Sequence, residues 1–423
     1  MDRRAFLSGL AAAPLVVLPG ASMAAGSSVV LPDLVPLKIA PDLRARLRGL
    51  MRDHGRGSPG YDSARRPYAV FDWDNTSIMN DCEETLLLTL LDTFAFRLAP
   101  EDFAKVVRLS VPEGPLAAAY TTIQGTPVAF ADLAADLDAD YAALAASYGT
   151  PAPAERHADL AKDERLQSLR AKLLFAYNAL VDTFGDQFGD AWVVGFLAGN
   201  TTEQLQRLAA GNNDAGLGRA MAWIEVVSPA ARPGRAGVVR QRHLDGLRLT
   251  PEIAAIQYAL RRAGIDVFVV SASAEEVVKV FACDPRYGYG LPEDRVFGIR
   301  MAQVAGRMDW HPAPDWPITW GPGKVEAIRR TMVAERGFGP LLVFGDSDGD
   351  ADMLSAFPET RLGVIVNRLK GGKIGTLSRM AVEEARQKDP RFMLQGRNET
   401  TGEWRPSAAT LPFGQTAERL VRD

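Results

Sequence analysis

Residues 68–76 read YAVFDWDNT, a short apolar run that ends abruptly in two aspartates separated by a tryptophan. A run of this kind is typical of a strand that is buried on both faces and presents a polar group at its carboxyl end. The sequence therefore predicts a strand over Tyr68–Phe71, followed by a loop that carries Asp72 and Asp74.

Helices and strands alternate again after residue 250. Pro251–Arg262 has proline in its first turn and a glycine just beyond its end, as helices do, and the β-branched and aromatic run Ile265–Val270 follows it as a second buried strand. This alternation predicts the α/β class, with a doubly wound parallel sheet covered by helices on both faces. The remaining predicted elements are helices over about Ala274–Ala282 and Lys324–Glu335 and strands over Val296–Met301, Leu341–Phe344 and, closing the series, Leu362–Val366.

Helical periodicity dominates the chain between the first strand and the second. Apolar residues recur at spacings of three and four in Glu84–Phe96, Leu166–Phe184 and Thr202–Leu208. We therefore predict a mainly helical second domain, inserted into the sheet domain. The predicted parts are a leader at 26–60, a core at 61–78 and 250–370, the insert at 79–249 and an extension at 371–423 that packs on the core without chemistry of its own.

The first 25 residues resemble an export signal. Arg3 and Arg4 directly precede an apolar stretch that runs to Leu18, and small residues follow at 21–25. The resemblance to a twin-arginine signal implies the twin-arginine export machinery as a partner, cleavage near Ala24-Ala25 and a periplasmic or secreted protein. Prolines and glycines interrupt the stretch, so we expect no stable membrane insertion after cleavage, with a retained anchor as the alternative.

Composition excludes several classes of protein. Of the 423 residues, 47% are hydrophobic and 24% charged, as in globular proteins and unlike disordered or coiled-coil chains. Lys and Arg number 48 against 52 Asp and Glu, so we expect no nucleic-acid partner. The four histidines and two cysteines lack the spacing of a zinc site. We interpret the histidines as surface or loop residues, and Cys82 and Cys283 as buried thiols or, after export, a disulfide.

Polar side chains follow three of the predicted strands, namely Asp72 and Asp74 after the first, Ser271 after the second, and Asp346 and Asp350 after the strand at 341–344. Because the carboxyl ends of parallel strands meet at one edge of a sheet, these groups are expected to converge. Several carboxylates at one place repel one another, and oxygen ligands without His or Cys favour Mg²⁺ as the cation that offsets the repulsion. The sequence thus predicts a magnesium site.

These residues resemble the four motifs of the haloacid dehalogenase-like superfamily of phosphohydrolases. The motifs are Asp72-Trp73-Asp74-Asn75-Thr76, then Ser271, then Gly323-Lys324, and finally Gly345-Asp346-Ser347-Asp348-Gly349-Asp350. The resemblance implies a Rossmann-like core and identifies the insert at 79–249 with the helical cap of that superfamily. Its dehalogenases lack an acid at the position of Asp74, so the resemblance implies phosphate esters as substrates.

The resemblance also implies a role for each motif residue. Asp72 would be the nucleophile that forms an aspartyl-phosphate, and Asp74 would protonate the leaving alcohol and later deprotonate water. The phosphate-binding residues would be Thr76, which also orients the loop, Ser271 and Lys324.

The same resemblance implies the ligands of the magnesium ion. Asp72, the backbone carbonyl of Asp74 and Asp346 would bind the ion directly. Asp350 would hold the waters of the ion.

The stretch 68–81 is similar to the phosphorylcholine phosphatase branch of the superfamily, which consists of exported bacterial enzymes. This similarity implies phosphorylcholine or a related small phospho-amine as substrate. A quaternary ammonium is recognised by aromatic faces and a carboxylate, and we predict that Trp73 and Asp81 contact it.

Three alternatives to a phospho-amine phosphatase remain. The first is a broad-specificity phosphatase that scavenges phosphate. The second is a phosphoserine phosphatase, although this chain has Ala272 and Gly349 where that family usually has Gly and Asn. The third is a protein that binds a phosphorylated ligand without turnover.

Overall fold

A six-stranded parallel sheet forms the centre of the computed structural model, which describes residues 34–35 and 37–421. The predicted export signal at 1–25 lies outside these residues. The strands of the described chain are β1 Tyr68–Phe71, β2 Ile78–Met79, β3 Ala222–Val227, β4 Arg240–Asp245, β5 Arg248–Leu249, β6 Asp266–Ala274, β7 Val296–Ile299, β8 Met301–Val304, β9 Arg307–Pro312, β10 Leu342–Gly345, β11 Leu362–Val366, β12 Phe392–Gln395, β13 Arg397–Asn398 and β14 Glu403–Trp404.

Helices surround this sheet and fill the insert. They are α1 Pro41–His54, α2 Cys82–Thr93, α3 Pro100–Val107, α4 Phe130–Tyr148, α5 His157–Leu160, α6 Glu164–Phe184, α7 Asp186–Val194, α8 Thr202–Gly218, α9 Pro251–Arg262, α10 Glu275–Cys283, α11 Pro322–Ile328, α12 Ala334–Arg336, α13 Asp348–Ser355 and α14 Gly372–Glu384. A π-helical turn, Arg329–Val333, joins α11 to α12. Among the described residues, no helix combines the length and apolar character needed to cross a membrane.

The order of the strands brings the predicted motifs together. The central sheet runs β12-β11-β10-β1-β6-β7, and every neighbouring pair is parallel. Phe71 at the end of β1 pairs with Phe344 of β10 and with Val269 of β6. The residues that follow these three therefore emerge side by side at one edge of the sheet. The predicted α/β class with a Rossmann-like parallel sheet is confirmed.

Alternate residues of β1 belong to two separate hydrophobic cores. Ala69 and Phe71 pack into a core that includes α1 and the helices of the insert. Tyr68 and Val70 pack into a second core with α11, α13 and α14. Both faces of the strand are thus covered, which explains why the apolar run at 68–71 is unbroken.

Several elements have other limits than the predicted ones. β6 continues past Val270 to Ala274, and its register with β7 is irregular there. The run at 296–301 is divided between β7 and β8, because β8 turns away to pair with β9. The prediction that Leu362–Val366 closes the sheet is wrong, since β12 pairs with β11 as a further edge strand. Four residues are too few to show a period, so only this pairing reveals β12.

The insert leaves the core and returns to it at adjacent points. β2 and β5 are antiparallel neighbours, with Ile78 opposite Leu249. Between them lie α2 to α8 and the β3–β4 hairpin, which the helical periodicity did not predict. The predicted domain limits themselves stay a prediction.

The interpretation of one histidine is wrong, and the structure distinguishes the two interpretations of the cysteines. His243 on β4 is only 4% exposed, so it is a buried residue and not a surface one. Cys82 is a buried free thiol and Cys283 a half-buried one, which agrees with the first interpretation and disagrees with a disulfide between them.

Candidate active site

A cleft of about 630 Å³ lies at the carboxyl edge of the sheet, between the core, the insert and the C-terminal segment. The predicted site residues in its wall are Asp72, Asp74, Asp81, Ser271, Lys324 and Asp346. The topology of the sheet therefore brings residues that are far apart in sequence into one cavity.

Lys324 joins two aspartates at the floor of the cleft. Its Nζ donates to Asp72 Oδ1 at 2.5 Å and to Asp350 Oδ1 at 2.7 Å, and all three side chains are buried. Burial and the charge of Asp350 raise the pKa of Asp72, although Lys324 opposes the rise. Burial also disfavours the ammonium of Lys324, but the two carboxylates outweigh it and keep the pKa of Lys324 above its ordinary value. The nucleophile candidate thus lies against a fixed cation.

Three buried carboxylates form a candidate magnesium centre. Oxygens of Asp72, Asp346 and Asp350 lie within 4.8 Å of one another. Hard oxygen donors at this spacing suit Mg²⁺. Thr76 Oγ1 and Arg368 Nη1 each donate to Asp346 at 2.8 Å. Burial acts to raise the pKa of Asp346, but the neighbouring cations, Arg368 first, bring it below its ordinary value, so this ligand stays ionised.

Asp350 is also built into the start of α13. Its Oδ2 accepts hydrogen bonds from the backbone N–H groups of Asp346 at 2.8 Å and of Ser347 at 3.0 Å. A Cβ on Gly345 would lie 2.4 Å from the Cβ of Asp350. Only glycine permits this close approach, which explains the glycine at the end of β10.

Asp74 has a donor on each carboxyl oxygen. The backbone N–H of Cys82 donates to Oδ1 at 2.8 Å, and Ser273 Oγ donates to Oδ2 at 2.7 Å. Ser271 Oγ lies farther from Oδ2, at 3.4 Å. Burial raises the pKa of Asp74, and these hydrogen bonds offset only part of the rise. Asp74 is thus suited to hold a proton. Its backbone carbonyl as a metal ligand stays a prediction.

The two predicted phosphate-binding hydroxyls differ in position. Ser271 lies in the wall of the cleft, as expected for a phosphate ligand. Thr76 is 1% exposed and donates to Asp346, so its hydroxyl supports the candidate metal centre and does not face the cavity.

Trp73 does not contact the cleft, contrary to the prediction that it binds substrate. Its side chain is fully buried and packs against Tyr289 and Phe281, with ring centroids 5.0 and 6.4 Å away. Asp81 does lie in the cleft wall, where it also caps α2 by accepting from the N–H groups of Glu83 and Glu84.

Acidic residues of the insert form the opposite wall. Glu84, Asp186 and Asp190 all line the cleft, and the hydroxyl of Tyr177 donates to Glu84 Oε1 at 3.0 Å. Burial and the charges of Asp186 and Glu84 raise the pKa of Asp190 well above its usual range. Sequence reasoning missed these residues, because helical periodicity shows which face is apolar but not which polar side chains meet a distant core.

Sequence reasoning also missed two cationic residues that follow a core strand. Arg368 and Lys370 follow β11 and line the cleft beside Asp346. The rule applied to the other strands, that polar residues after a parallel strand reach the active edge, would have found them. Ser273 was missed for a different reason, since the predicted strand stopped at Val270.

Known proteins share this fold and part of this sequence. Residues 195–355 match the family described as haloacid dehalogenase-like hydrolase. A crystal structure of a conserved protein of unknown function from Anaerococcus prevotii DSM 20548 is similar over 92% of this chain and 100% of that one, with a TM-score of 0.82 and 26% sequence identity. The second, third and fourth motifs lie within the matched residues, whereas the first motif, at 72–76, precedes them.

One curated relative has a named activity. A phosphorylcholine phosphatase of Pseudomonas aeruginosa is 34% identical over 134 residues, which cover 26% of this chain and 38% of that enzyme. The match thus spans less than half of the length of the relative.

Proposed function

We propose that this protein is an exported, Mg²⁺-dependent phosphomonoesterase that acts through an aspartyl-phosphate on a small phosphorylated amine, with phosphorylcholine as the first candidate. The observation that carries the proposal is the cluster at the cleft floor, where Asp72 lies against Lys324 and Asp74 faces the same cavity. The hydrolase family match and the name of the curated relative support the same class of reaction.

In the first half of the reaction, a carboxylate oxygen of Asp72 forms a bond to phosphorus, and the bond between phosphorus and the ester oxygen breaks. The leaving oxygen keeps the electron pair and takes the proton of Asp74, so that it departs as an alcohol. The raised pKa of Asp74 suits this step, because a carboxyl that retains its proton to higher pH can act as an acid.

In the second half, Asp74 is a carboxylate and acts as a base. It takes a proton from a water molecule, whose oxygen attacks phosphorus while the bond to Asp72 breaks. Phosphate leaves, Asp72 is a carboxylate again, and Asp74 again holds a proton.

A phosphate at the floor adds negative charge that a further cation would offset. The three charges of Asp72, Asp346 and Asp350 are already matched by those of Lys324, Arg368 and Lys370, so the charge of the phosphate is left unbalanced. Asp72 and Asp346 would hold Mg²⁺ and Asp350 its waters, and the charge of the ion would offset the repulsion between Asp72 and the phosphate. Lys324 keeps Asp72 in place and presents its own charge to the same region.

The two walls of the cleft favour a substrate with charges of both signs. Arg368 and Lys370 lie near the floor, where the phosphate would bind, and Glu84, Asp186 and Asp190 lie on the insert. Burial is the main cause of the raised pKa of Asp190, and a cationic group between these acids would relieve the repulsion from Asp186 and Glu84 that adds to it. A phosphorylated amine has this distribution of charge. Export rests on the arginine pair and small residues of the first 25 positions.

The test is phosphate release by the purified protein, with and without Mg²⁺, from phosphorylcholine, phosphoethanolamine, phosphoserine and p-nitrophenyl phosphate. We expect kcat/KM for phosphorylcholine to exceed the others by tenfold or more, about 1.4 kcal/mol of transition-state discrimination, and only with metal. Equal rates would indicate a scavenging phosphatase, and a preference for phosphoserine the phosphoserine alternative. Release from none of them would indicate a binding protein.

The same assay tests the covalent step. Asp72→Asn is expected to lower kcat at least about 1,000-fold, since an amide cannot form the aspartyl-phosphate. Asp352→Asn on α13 is the matched control, because this carboxylate pairs with Lys373 at the surface and we expect its activity to be unchanged. Normal turnover by Asp72→Asn would exclude the proposed nucleophile.

A further inference from the structure

Ser273 is the last residue but one of β6, just before α10, where the strand loses its regular register with β7. It lies two residues beyond Ser271, and residues two apart on a strand point to the same side. Both hydroxyls thus face Asp74, and both residues line the cleft. The sequence Ser-Ala-Ser at 271–273 therefore presents two hydroxyl groups to one carboxyl.

The two serines hold Asp74 unequally. Ser273 Oγ is 2.7 Å from Asp74 Oδ2, whereas Ser271 Oγ is 3.4 Å away and instead accepts from the backbone N–H of Ser273 at 3.1 Å. Donors favour distances below about 3.0 Å for an O–H to a carboxylate, so Ser273 makes the stronger contact. Ser271 is left with its hydroxyl available to the cavity.

Ser273 is itself held in place from the insert. The next residue, Ala274, donates its backbone N–H to Glu83 Oε2 at 2.6 Å, and Glu83 lies in the first turn of α2. The same turn supplies the N–H of Cys82 that binds Asp74 Oδ1. Asp74 is thus clamped between the start of α2 and the end of β6, which fixes the direction of Oδ2.

We infer that Ser273 is a positioning residue for Asp74, and that it aims Oδ2 at the leaving oxygen of the substrate. This inference rests on the proposed function. Cys82 N–H can only donate, so it keeps Oδ1 as the unprotonated oxygen and leaves the proton on Oδ2. The Ser273 hydroxyl donates to Oδ2, and this oxygen can accept the hydrogen bond both in the carboxylate and while it carries the proton. The contact therefore survives both halves of the reaction, and the proton stays directed at the leaving oxygen.

A leaving group that needs no proton separates this role from a structural one. The alkoxide of phosphorylcholine must be protonated as it leaves, whereas the phenolate of p-nitrophenyl phosphate is stable without a proton. General acid catalysis typically contributes about 10² to 10⁴ in rate. We expect Ser273→Ala to lower kcat/KM for phosphorylcholine about 10-fold to 100-fold, and for p-nitrophenyl phosphate less than about threefold.

Two further variants complete the experiment, and all are assayed with Mg²⁺ after thermal unfolding has shown that they fold. Ser273→Thr keeps a hydroxyl, so we expect it to retain the wild-type ratio of the two kcat/KM values. Ser271→Ala removes the weaker contact and the candidate phosphate ligand, so we expect it to lower both values to a similar degree.

The outcomes separate the inference from the proposed function. If Ser273→Ala leaves the ratio of the two kcat/KM values unchanged, the positioning role is wrong while the phosphatase activity stands. If Ser273→Thr lowers this ratio as much as Ser273→Ala does, the hydroxyl is not the group that positions Asp74. If the wild-type protein releases phosphate from neither substrate, the proposed function fails, and this inference with it.

Discussion

Lys324 shows how a single residue sets the chemistry of the floor. It is 2% exposed and contacts Asp72 and Asp350, which lie 252 and 26 positions away along the chain. Burying a charge without partners is costly, so this lysine is stable only because both carboxylates accept from it. Its ammonium in turn opposes the rise in the pKa of Asp72 that burial and the charge of Asp350 cause.

His243 gives a prediction on stability at the same scale. Burial lowers its pKa, although Glu84 and Asp245 oppose the shift, while Arg170 adds to it. The folded state therefore favours the neutral ring, whereas the unfolded chain takes up a proton below about pH 6.5. The chain thus takes up a proton when it unfolds at acidic pH. The free energy of unfolding therefore falls as the pH drops below 6.5, by up to about 1.4 kcal/mol per pH unit.

The measurement compares urea unfolding of the wild type and His243→Gln at pH 7 and pH 5.5. We expect the wild type to lose stability relative to the variant over this interval. His311→Gln, at an exposed histidine, serves as control and is expected to follow the wild type. An equal loss of unfolding free energy in His243→Gln and the wild type between pH 7 and pH 5.5 would contradict the prediction.

At the scale of elements, the start of α2 connects the catalytic loop to the insert. Asp81 caps the helix through the N–H groups of Glu83 and Glu84, and the next residue, Cys82, donates to Asp74. A helix end has unpaired N–H groups that must find acceptors, and here the acceptors are a cleft residue and the candidate general acid. Helix capping and active-site geometry therefore depend on the same turn.

Two substitutions of Asp81 separate its capping role from its charge. Asp81→Ala is expected to lower the free energy of unfolding by about 1 kcal/mol, whereas Asp81→Asn keeps a good capping group and should cost only a few tenths. If the carboxylate also binds the amine, Asp81→Asn will reduce the preference for phosphorylcholine over p-nitrophenyl phosphate in kcat/KM.

Thr201 provides a matched cap away from the cleft. It caps α8 with Gln204, and Thr201→Ala should cost about 1 kcal/mol of stability without changing that preference. An unchanged preference in Asp81→Asn would limit Asp81 to capping and end its assignment as a substrate ligand.

At the scale of the whole molecule, the C-terminal segment completes the active edge. β12 extends the sheet, and Arg397, just after it, donates to the carbonyl oxygen of Asn75 at 2.9 Å and to its side-chain oxygen at 3.2 Å. Asn75 has a φ of 62°, a left-handed conformation in the loop that carries Asp72 and Asp74. The expected packing extension therefore also supports the catalytic loop, across 322 positions of sequence.

Arg397→Ala is expected to destabilise the protein by about 3 kcal/mol, because it leaves the buried carbonyl of Asn75 and the partly buried carboxylate of Glu399 without their partner. We also expect kcat to fall, since the loop loses its support. Urea unfolding and phosphate release measure the two effects. Lys373→Ala, which breaks an exposed pair with Asp352, is the control and should cost less than about 1 kcal/mol. A loss no greater than that of the control would contradict this role.

Some of the molecule follows from local pattern alone. The apolar run at 68–71, the helix at 251–262 and the strand at 362–366 were predicted with their observed limits, because steric preferences and burial periods act over a few neighbouring residues. The alternation of strands and helices likewise sufficed to predict a parallel sheet whose carboxyl edge collects Asp72, Ser271 and Asp346.

Only the tertiary structure decided what each side chain contacts within that frame. Trp73 turns into the core, and Thr76 supports Asp346, although both belong to the motif that predicted the site. The acids of the insert reach the cleft, and Arg397 reaches Asn75 in the loop beside it, from elements whose own patterns reveal no such contact. Local sequence determines which segments become strands and helices. Contacts, desolvation and charge pairing depend on how distant segments pack against one another, and that packing is settled only when the whole chain folds.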